Sequence, residues 1–294
     1  MEKLLTIIGF FFWFLFSIFL SAAFKKTGNR ILKKNKSSEI LSKMIISPFN
    51  IGKFFEKKKL AASGEKAEVV NPKLDRHKKY LQIALNSSLK EAGLIISQLP
   101  KSDRILIEAG TPLIKKYGME AISEIRNYIY LNSFSQNPYI VADLKCADMG
   151  KREVNLAAQA GARASTCLGV APIETIDEFI QECKNLNIDS MVDMMNVDNP
   201  LLVMKKLKNF PDVVIIHRGV DETEKNKEKL IPYYQINQIK GNCDTLISIA
   251  GGDTVKEIQS AVFNGANIVV LWKAFYKSEG DMALLVKDFL KEVR

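Results

Sequence analysis

The sequence predicts an α/β protein in which a (β/α)8 TIM barrel follows an N-terminal transmembrane helix and a basic linker. Three observations predict it. Residues 4–24 carry no charge, residues 25–79 are rich in lysine, and from residue 80 to 294 eight short apolar runs alternate with amphipathic stretches.

The first stretch, LLTIIGFFFWFLFSIFLSAAF, is 21 residues long. At about 1.5 Å per residue a helix of that length spans roughly 30 Å, the thickness of a bilayer's hydrocarbon core. It has no polar face of the kind a buried helix in a protein of this size keeps. A cleaved signal peptide is the rival, since Ser21-Ala22-Ala23 has the small residues of a cleavage site. The flanks favour an anchor: only Lys3 precedes the run, whereas Lys25, Lys26, Arg30, Lys33, Lys34 and Lys36 follow it. Positive flanks stay in the cytoplasm. A single-pass membrane protein with a cytoplasmic barrel is therefore expected.

The net charge of +9 is concentrated behind that segment. Residues 25–80 hold 16 Lys/Arg against 5 Asp/Glu, and residues 81–294 hold 25 against 27. Attraction to anionic headgroups, about 1 kcal/mol per nearby basic residue, explains such a cluster. Membrane lipid, and no nucleic acid, is the expected partner of the linker. Within it, Ile40, Leu41, Met44, Ile45, Ile46, Phe49, Phe54 and Phe55 interleave with lysines. An interfacial helix and an unstructured linker are both open readings, and Pro48 and Gly52 break any single continuous helix. The four cysteines, Cys146, Cys167, Cys183 and Cys243, show no C-x-x-C pairing and fit a reducing compartment. His77 sits among lysines and reads as solvated.

The apolar runs fall at 81–85, 104–108, 139–144, 163–168, 189–194, 213–217, 245–250 and 267–271, with helical segments such as 119–131, 172–187 and 280–293 between and after them. Strands alternating with helices imply a parallel sheet. Eight units in this length suit a closed barrel, and no G-x-G-x-x-G follows the first run to suggest an open dinucleotide-binding sheet.

Catalytic groups in such a barrel gather at the C-terminal strand ends. Those ends are Asn86, Glu108, Asp143 with Lys145, Asp193 and His217. Alternation puts Asp143 and Lys145 on one side of their strand and Leu144 on the other. Asp148 follows in the loop, within reach of the same site or of a neighbouring subunit. An ammonium held among carboxylates stays charged and can steady an enolate oxygen or deliver a proton; an ion pair that merely closes the barrel is the plainer alternative. Glu108 and Asp143 end adjacent strands. Their repulsion favours a cation between them, and magnesium takes one or two carboxylates with water and substrate oxygens completing its octahedron. His217, ending VIIH, is a candidate general acid/base or a satisfied core residue. Asp193 reads as a supporting or packing acid. In SIAGGDT, Gly251 and Gly252 allow backbone N–H groups to approach an anion before a helix start, and Trp272-Lys273 ends the eighth run, where barrels bind phosphate.

The motifs EAGTPLIKKYG (108–118), VADLKCADMG (141–150), MVDMMNVDNP (191–200), HRGVD (217–221) and AGG (250–252) together resemble the orotidine-phosphate-decarboxylase superfamily, and within it the 3-hexulose-6-phosphate synthases. The resemblance covers residues 81–294. It implies reversible aldol chemistry, formaldehyde plus ribulose 5-phosphate giving arabino-hex-3-ulose 6-phosphate. It also implies Glu108 and Asp143 as Mg2+ ligands, Lys145 steadying the enediolate, His217 moving the carbon-one proton, and Asp148 reaching across a homodimer interface. Asn86 and Asp193 would contact the sugar-phosphate substrate, and Gly251, Gly252, Trp272 and Lys273 its phosphate. Orotidine-phosphate decarboxylases carry lysine where this chain has Glu108. H-R-G-V-D is closer to the synthases than to the keto-gulonate-phosphate decarboxylases.

Four positions depart from the family's pattern. Asn86 replaces an aspartate, Trp272-Lys273 replaces a Gly-Arg pair, and Asp253 stands where an apolar residue is usual. A decarboxylase on the same site and a non-catalytic membrane-bound scaffold or sensor are the remaining alternatives. The anchor reading has a direct test in cell fractionation. The full chain is expected to pellet with membranes and to resist carbonate extraction, and deletion of residues 1–24 to release it; carbonate release of the intact chain contradicts the anchor.

Overall fold

The computed structural model of the chain describes residues 73–132, 138–226, 228–252, 254–273 and 282–293. The expected membrane span and most of the linker lie outside the described residues, as does Asp253. Among the described residues no helix is long and apolar enough to cross a membrane.

Eight parallel strands close into a barrel in sequence order: β1 (Tyr80–Leu85), β2 (Ile105–Ala109), β3 (Ile140–Cys146), β4 (Ala164–Leu168), β5 (Asp189–Asp193), β6 (Val213–His217), β7 (Leu246–Ala250) and β8 (Ile268–Leu271). β8 returns to pair with β1 through Leu81 and Val269, so no strand edge is left open. All eight expected runs are strands, displaced by no more than two residues at either end.

Strand alternation sorts the side chains into two layers. Leu106, Val141, Ala164, Met191, Val213 and Ile268 fill the barrel interior. Residues out of phase with them, Ile107, Ala142, Cys167, Val192, Val214 and Val269, face outward into a larger core shared with the helices. The helices are α1 (Leu89–Gln98), α2 (Thr111–Tyr117), α3 (Glu120–Leu131), α4 (Gly150–Ala160), α5 (Ile173–Asn185), α6 (Pro200–Met204), α7 (Val220–Lys225), α8 (Tyr234–Lys240), α9 (Val255–Phe263) and α10 (Met282–Glu292). Each longer helix buries one stripe, as α5 does with Ile176, Phe179, Ile180 and Cys183. Local signals set their starts. Ser88 accepts from the Glu91 N–H at 3.3 Å, and Thr254 and Glu257 form a reciprocal capping box on α9.

The N-terminal end of the barrel is closed by residues 73–79. Leu74 packs against the inner core, and its N–H donates to buried Asp189 at 3.1 Å. Asp189 also accepts from the Tyr139 hydroxyl at 2.5 Å. Lys73 pairs with Asp212 at 2.8 Å, and Arg76 and Lys78 pair with Asp244 and Asp103.

Candidate active site

At the C-terminal end of the strands the interior stops being apolar. A cavity of about 280 Å³ opens there, lined among others by Gln82, Asn86, Glu108, Asp143, Lys145, Thr166, Asp193 and His217. Each comes from an inward-facing position at or near a strand end. Five of the strand-end residues expected from sequence, with Asn86, therefore share one space.

Asp193 is the hub of one side. It is 1% exposed, and its Oδ2 accepts from Lys145 Nζ at 3.1 Å and lies 2.8 Å from His217 Nδ1. Its Oδ1 accepts from the Met195 N–H at 2.9 Å. Burial works to raise its pKa, but His217 and Lys145 outweigh that and hold it at about 2. The same contact acts in reverse on His217. Burial works to lower its pKa, the Asp193 charge and hydrogen bond outweigh that, and the imidazole stays more basic than usual. Lys145, held also 3.1 Å from Asp143, is kept protonated: the neighbouring Asp143 and Asp193 charges outweigh its burial.

Asp143 is clamped from three directions. Thr111 Oγ1 donates to its Oδ2 at 2.6 Å, Thr166 Oγ1 donates to its Oδ1 at 2.8 Å, and Lys145 faces both oxygens. Leu144 packs into the outer core, as alternation requires. Lys145, however, does not reach the site by regular alternation. Its φ is 48°, in the left-handed region, and the β3–β4 register shifts between Ala142 and Cys146. A β-bulge aims the ammonium.

Glu108 accepts from Gln82 Nε2 at 2.5 Å. Burial and the nearby Asp143 charge push its pKa up to about 7. The Gln82 hydrogen bond and the Lys145 and His217 charges offset this only in part. Glu108 and Asp143 therefore fit a cation site of the two-carboxylate kind, in which water and substrate supply the other oxygens. Among the described residues no group of three or more His, Cys, Asp or Glu converges as a closed metal site.

The opposite rim is built from β6, β7 and β8. Gly251 has φ 104°, and a Cβ there would lie 2.3 Å from the Arg218 carbonyl oxygen, so the turn requires glycine. Gly251, Trp272 and Lys273 line the cavity; buried Gly252 packs against Glu257 instead. Lys273 is 2.9 Å from Glu224 and 5.5 Å above the Trp272 ring. Asp148 is exposed and does not line the cavity of a single chain; its Oδ1 accepts from the Met149 N–H at 2.7 Å.

These strand ends match a known family over residues 79–283: the orotidine 5'-phosphate decarboxylase / HUMPS family. The chain belongs to that family. It is similar to the bifunctional enzyme Fae/Hps of Methanocella arvoryzae, 39% identical over 199 residues, 66% of this chain and 48% of that protein. It is likewise 39% identical over 215 residues to the bifunctional enzyme Fae/Hps of Methanocaldococcus jannaschii, 73% of this chain and 52% of that one. The chain thus spans about half the length of the curated relatives it matches. Among solved structures it is similar to the 3-hexulose-6-phosphate synthase of Salmonella typhimurium, with TM-score 0.65, 26% identity, and coverage of 73% of this chain and 98% of that one.

Four residues of the family site were not singled out from sequence: Gln82, Thr111, Thr166 and Arg218. Gln82 had a signal, a polar residue in phase with Asn86 on an otherwise apolar strand; Thr166, beside Ser165 in ASTCL, did not stand out. Arg218 had none, because its contacts, Thr223 Oγ1 at 3.1 Å and the Lys229 carbonyl at 2.8 Å, lie in α7 and the loop beyond it.

The Asp193–His217 pair makes a pH-dependent outcome. The His217 imidazole is expected to titrate above its ordinary value of 6.5. The stability this pair contributes is complete below that unfolded value and is lost as pH rises through the folded one. Asp193→Asn removes the carboxylate, leaving burial and Lys145 to lower the midpoint. Imidazole NMR titration of both proteins reads it directly; an unchanged midpoint contradicts the pairing.

Proposed function

We propose that the barrel is a magnesium-dependent carbon–carbon lyase of the 3-hexulose-6-phosphate synthase kind, joining formaldehyde to ribulose 5-phosphate. The single observation that carries this reading is the Lys145–Asp193–His217 array facing Glu108 and Asp143 across one cavity. The named relatives support it: a synthase among solved structures and Fae/Hps enzymes among curated proteins.

The chemistry needs a proton removed from carbon one beside a carbonyl, and charge steadied on two adjacent oxygens. Glu108 and Asp143 would hold the magnesium ion, which when bound screens negative charge on those oxygens. With Nδ1 engaged by Asp193, His217 presents Nε2 to the carbon-one proton. A raised conjugate-acid pKa makes the neutral imidazole a stronger acceptor. Lys145 places a permanent ammonium where the enediolate oxygens gather charge, within surroundings whose dipoles are already oriented. Attack of the enediolate carbon on formaldehyde then forms the new bond, and the formaldehyde oxygen takes up a proton. Gly251 with the Trp272-Lys273 rim would receive the phosphate.

The reading extends to parts that the described residues do not reach. It includes a membrane anchor at 4–24, a basic linker through residue 79 and a barrel on the cytoplasmic side. It also includes a homodimer in which exposed Asp148 completes the neighbouring site.

Proton exchange at carbon one of ribulose 5-phosphate, followed by NMR in deuterium oxide, tests the reading without formaldehyde. Magnesium-dependent exchange is expected, with a loss of roughly 100-fold or more in Glu108→Gln and Lys145→Ala. Absence of exchange with magnesium present, or exchange indifferent to chelator and to Glu108→Gln, overturns it.

A further inference from the structure

Thr166 stands opposite three residues of β3. The β3–β4 ladder pairs Ala142 with Ser165 and then Cys146 with Cys167. Between those rungs β3 supplies Asp143, Leu144 and Lys145, and β4 supplies Thr166 alone. The surplus is absorbed by the bulge that puts Lys145 at φ 48°, a conformation residues with a Cβ seldom adopt.

Something must hold that backbone, because the irregular ladder leaves Lys145 without a regular rung. Its N–H donates instead to Thr166 Oγ1 at 3.0 Å. The same hydroxyl donates its own proton to Asp143 Oδ1 at 2.8 Å. A hydroxyl has one donor and spare acceptor capacity, so both bonds form together. Thr166 is 1% exposed, so solvent water scarcely reaches these bonds. Asp143 in turn faces Lys145 Nζ at 3.1 Å, which closes a ring from backbone to hydroxyl to carboxylate to ammonium.

We propose that Thr166 is a positioning residue: its buried hydroxyl locks the strained Lys145 backbone to the carboxylate that meets the Lys145 ammonium, and so sets where that ammonium meets substrate. This rests on the lyase reading, since it concerns how Lys145 and Asp143 are aimed at substrate oxygens. Without the hydroxyl the Lys145 N–H loses its acceptor in a buried place, and the bulge relaxes toward ordinary backbone angles. Asp143 keeps Thr111 as a partner but can turn about its carboxyl axis. The long lysine side chain magnifies any backbone shift at its tip.

The test compares the full chain with Thr166→Val, Thr166→Ser and Ser165→Ala. Ser165 is the adjacent buried residue of β4, and its hydroxyl lies 3.5 Å from the Ala142 carbonyl on the outer side. Two readouts are taken: kcat and KM for carbon-one proton exchange of ribulose 5-phosphate, and hydrogen exchange of the Lys145 amide by NMR. Thr166→Val is expected to lower kcat by roughly 100-fold with little change in KM, as a misplacement of about 1 Å does. It is also expected to strip protection from the Lys145 amide. Thr166→Ser is expected to restore both, and Ser165→Ala to alter neither. Wild-type kcat and amide protection in Thr166→Val overturn the proposal. If the unaltered chain shows no exchange, the lyase reading fails and the amide decides: protection lost at Lys145 alone supports the lock, and protection retained ends it. Should Thr166→Val lose protection throughout the barrel, Thr166→Ser is the deciding variant, and failure to protect Lys145 in a folded Thr166→Ser chain overturns the proposal.

Discussion

Three acidic side chains, Glu108, Asp143 and Asp193, are buried at the mouth of a largely apolar barrel, with the Lys145 ammonium among them. Burying unpaired charge is costly, so every polar contact in the mouth answers that constraint. Asp193 is settled by Lys145 and His217, and Asp143 by Lys145 and two threonine hydroxyls. Glu108 accepts from the Gln82 amide, and burial and the Asp143 charge raise its proton affinity against the smaller pull of Lys145 and His217. Glu108 is thus the least compensated of the three carboxylates. On the proposed reading, a divalent cation held by Glu108 and Asp143 would offset that charge and screen the oxygens of an enediolate.

Most of the architecture was legible because strand ends in a parallel barrel are read by a simple rule. Apolar runs mark strands, and the polar residue that stops each run marks the mouth. Glu108, Asp143, Asp193 and His217 were found that way, before any family resemblance was invoked. What escaped was non-local. Asp193 read as a supporting or packing acid because nothing in MVDMM reports that Lys145 from β3 and His217 from the adjacent β6 converge on it. The bulge at Lys145 escaped because a parallel-strand register shift depends on the partner strand, here the single Thr166 opposite three residues. Gln82 escaped because an amide inside LQIAL looks like a lapse in an apolar run until Glu108 is seen beside it.

The end of β8 carries Trp272-Lys273, where the family resemblance leads one to expect a Gly-Arg pair. A Gly-Arg pair would offer an open backbone and a forked cation, whereas Trp272-Lys273 offers a ring and a point charge already shared with Glu224. Arg218, anchored between α7 and the Gly251 turn, brings a second cation to the same rim. On the proposed reading, Glu108, Asp143, Lys145 and His217 keep the family's pattern, while Trp272 sets an aromatic at the rim that would receive the phosphate.

The proposed cation between Glu108 and Asp143 is the central claim, and cation binding measures it most directly. Titration of the full chain with magnesium by calorimetry near pH 7, in buffers of different ionisation enthalpy, should show one ion per barrel and release of about half a proton as Glu108 ionises. Glu108→Gln should abolish both signals. Heat-silent titration, or binding that Glu108→Gln leaves intact, would contradict a cation held between Glu108 and Asp143.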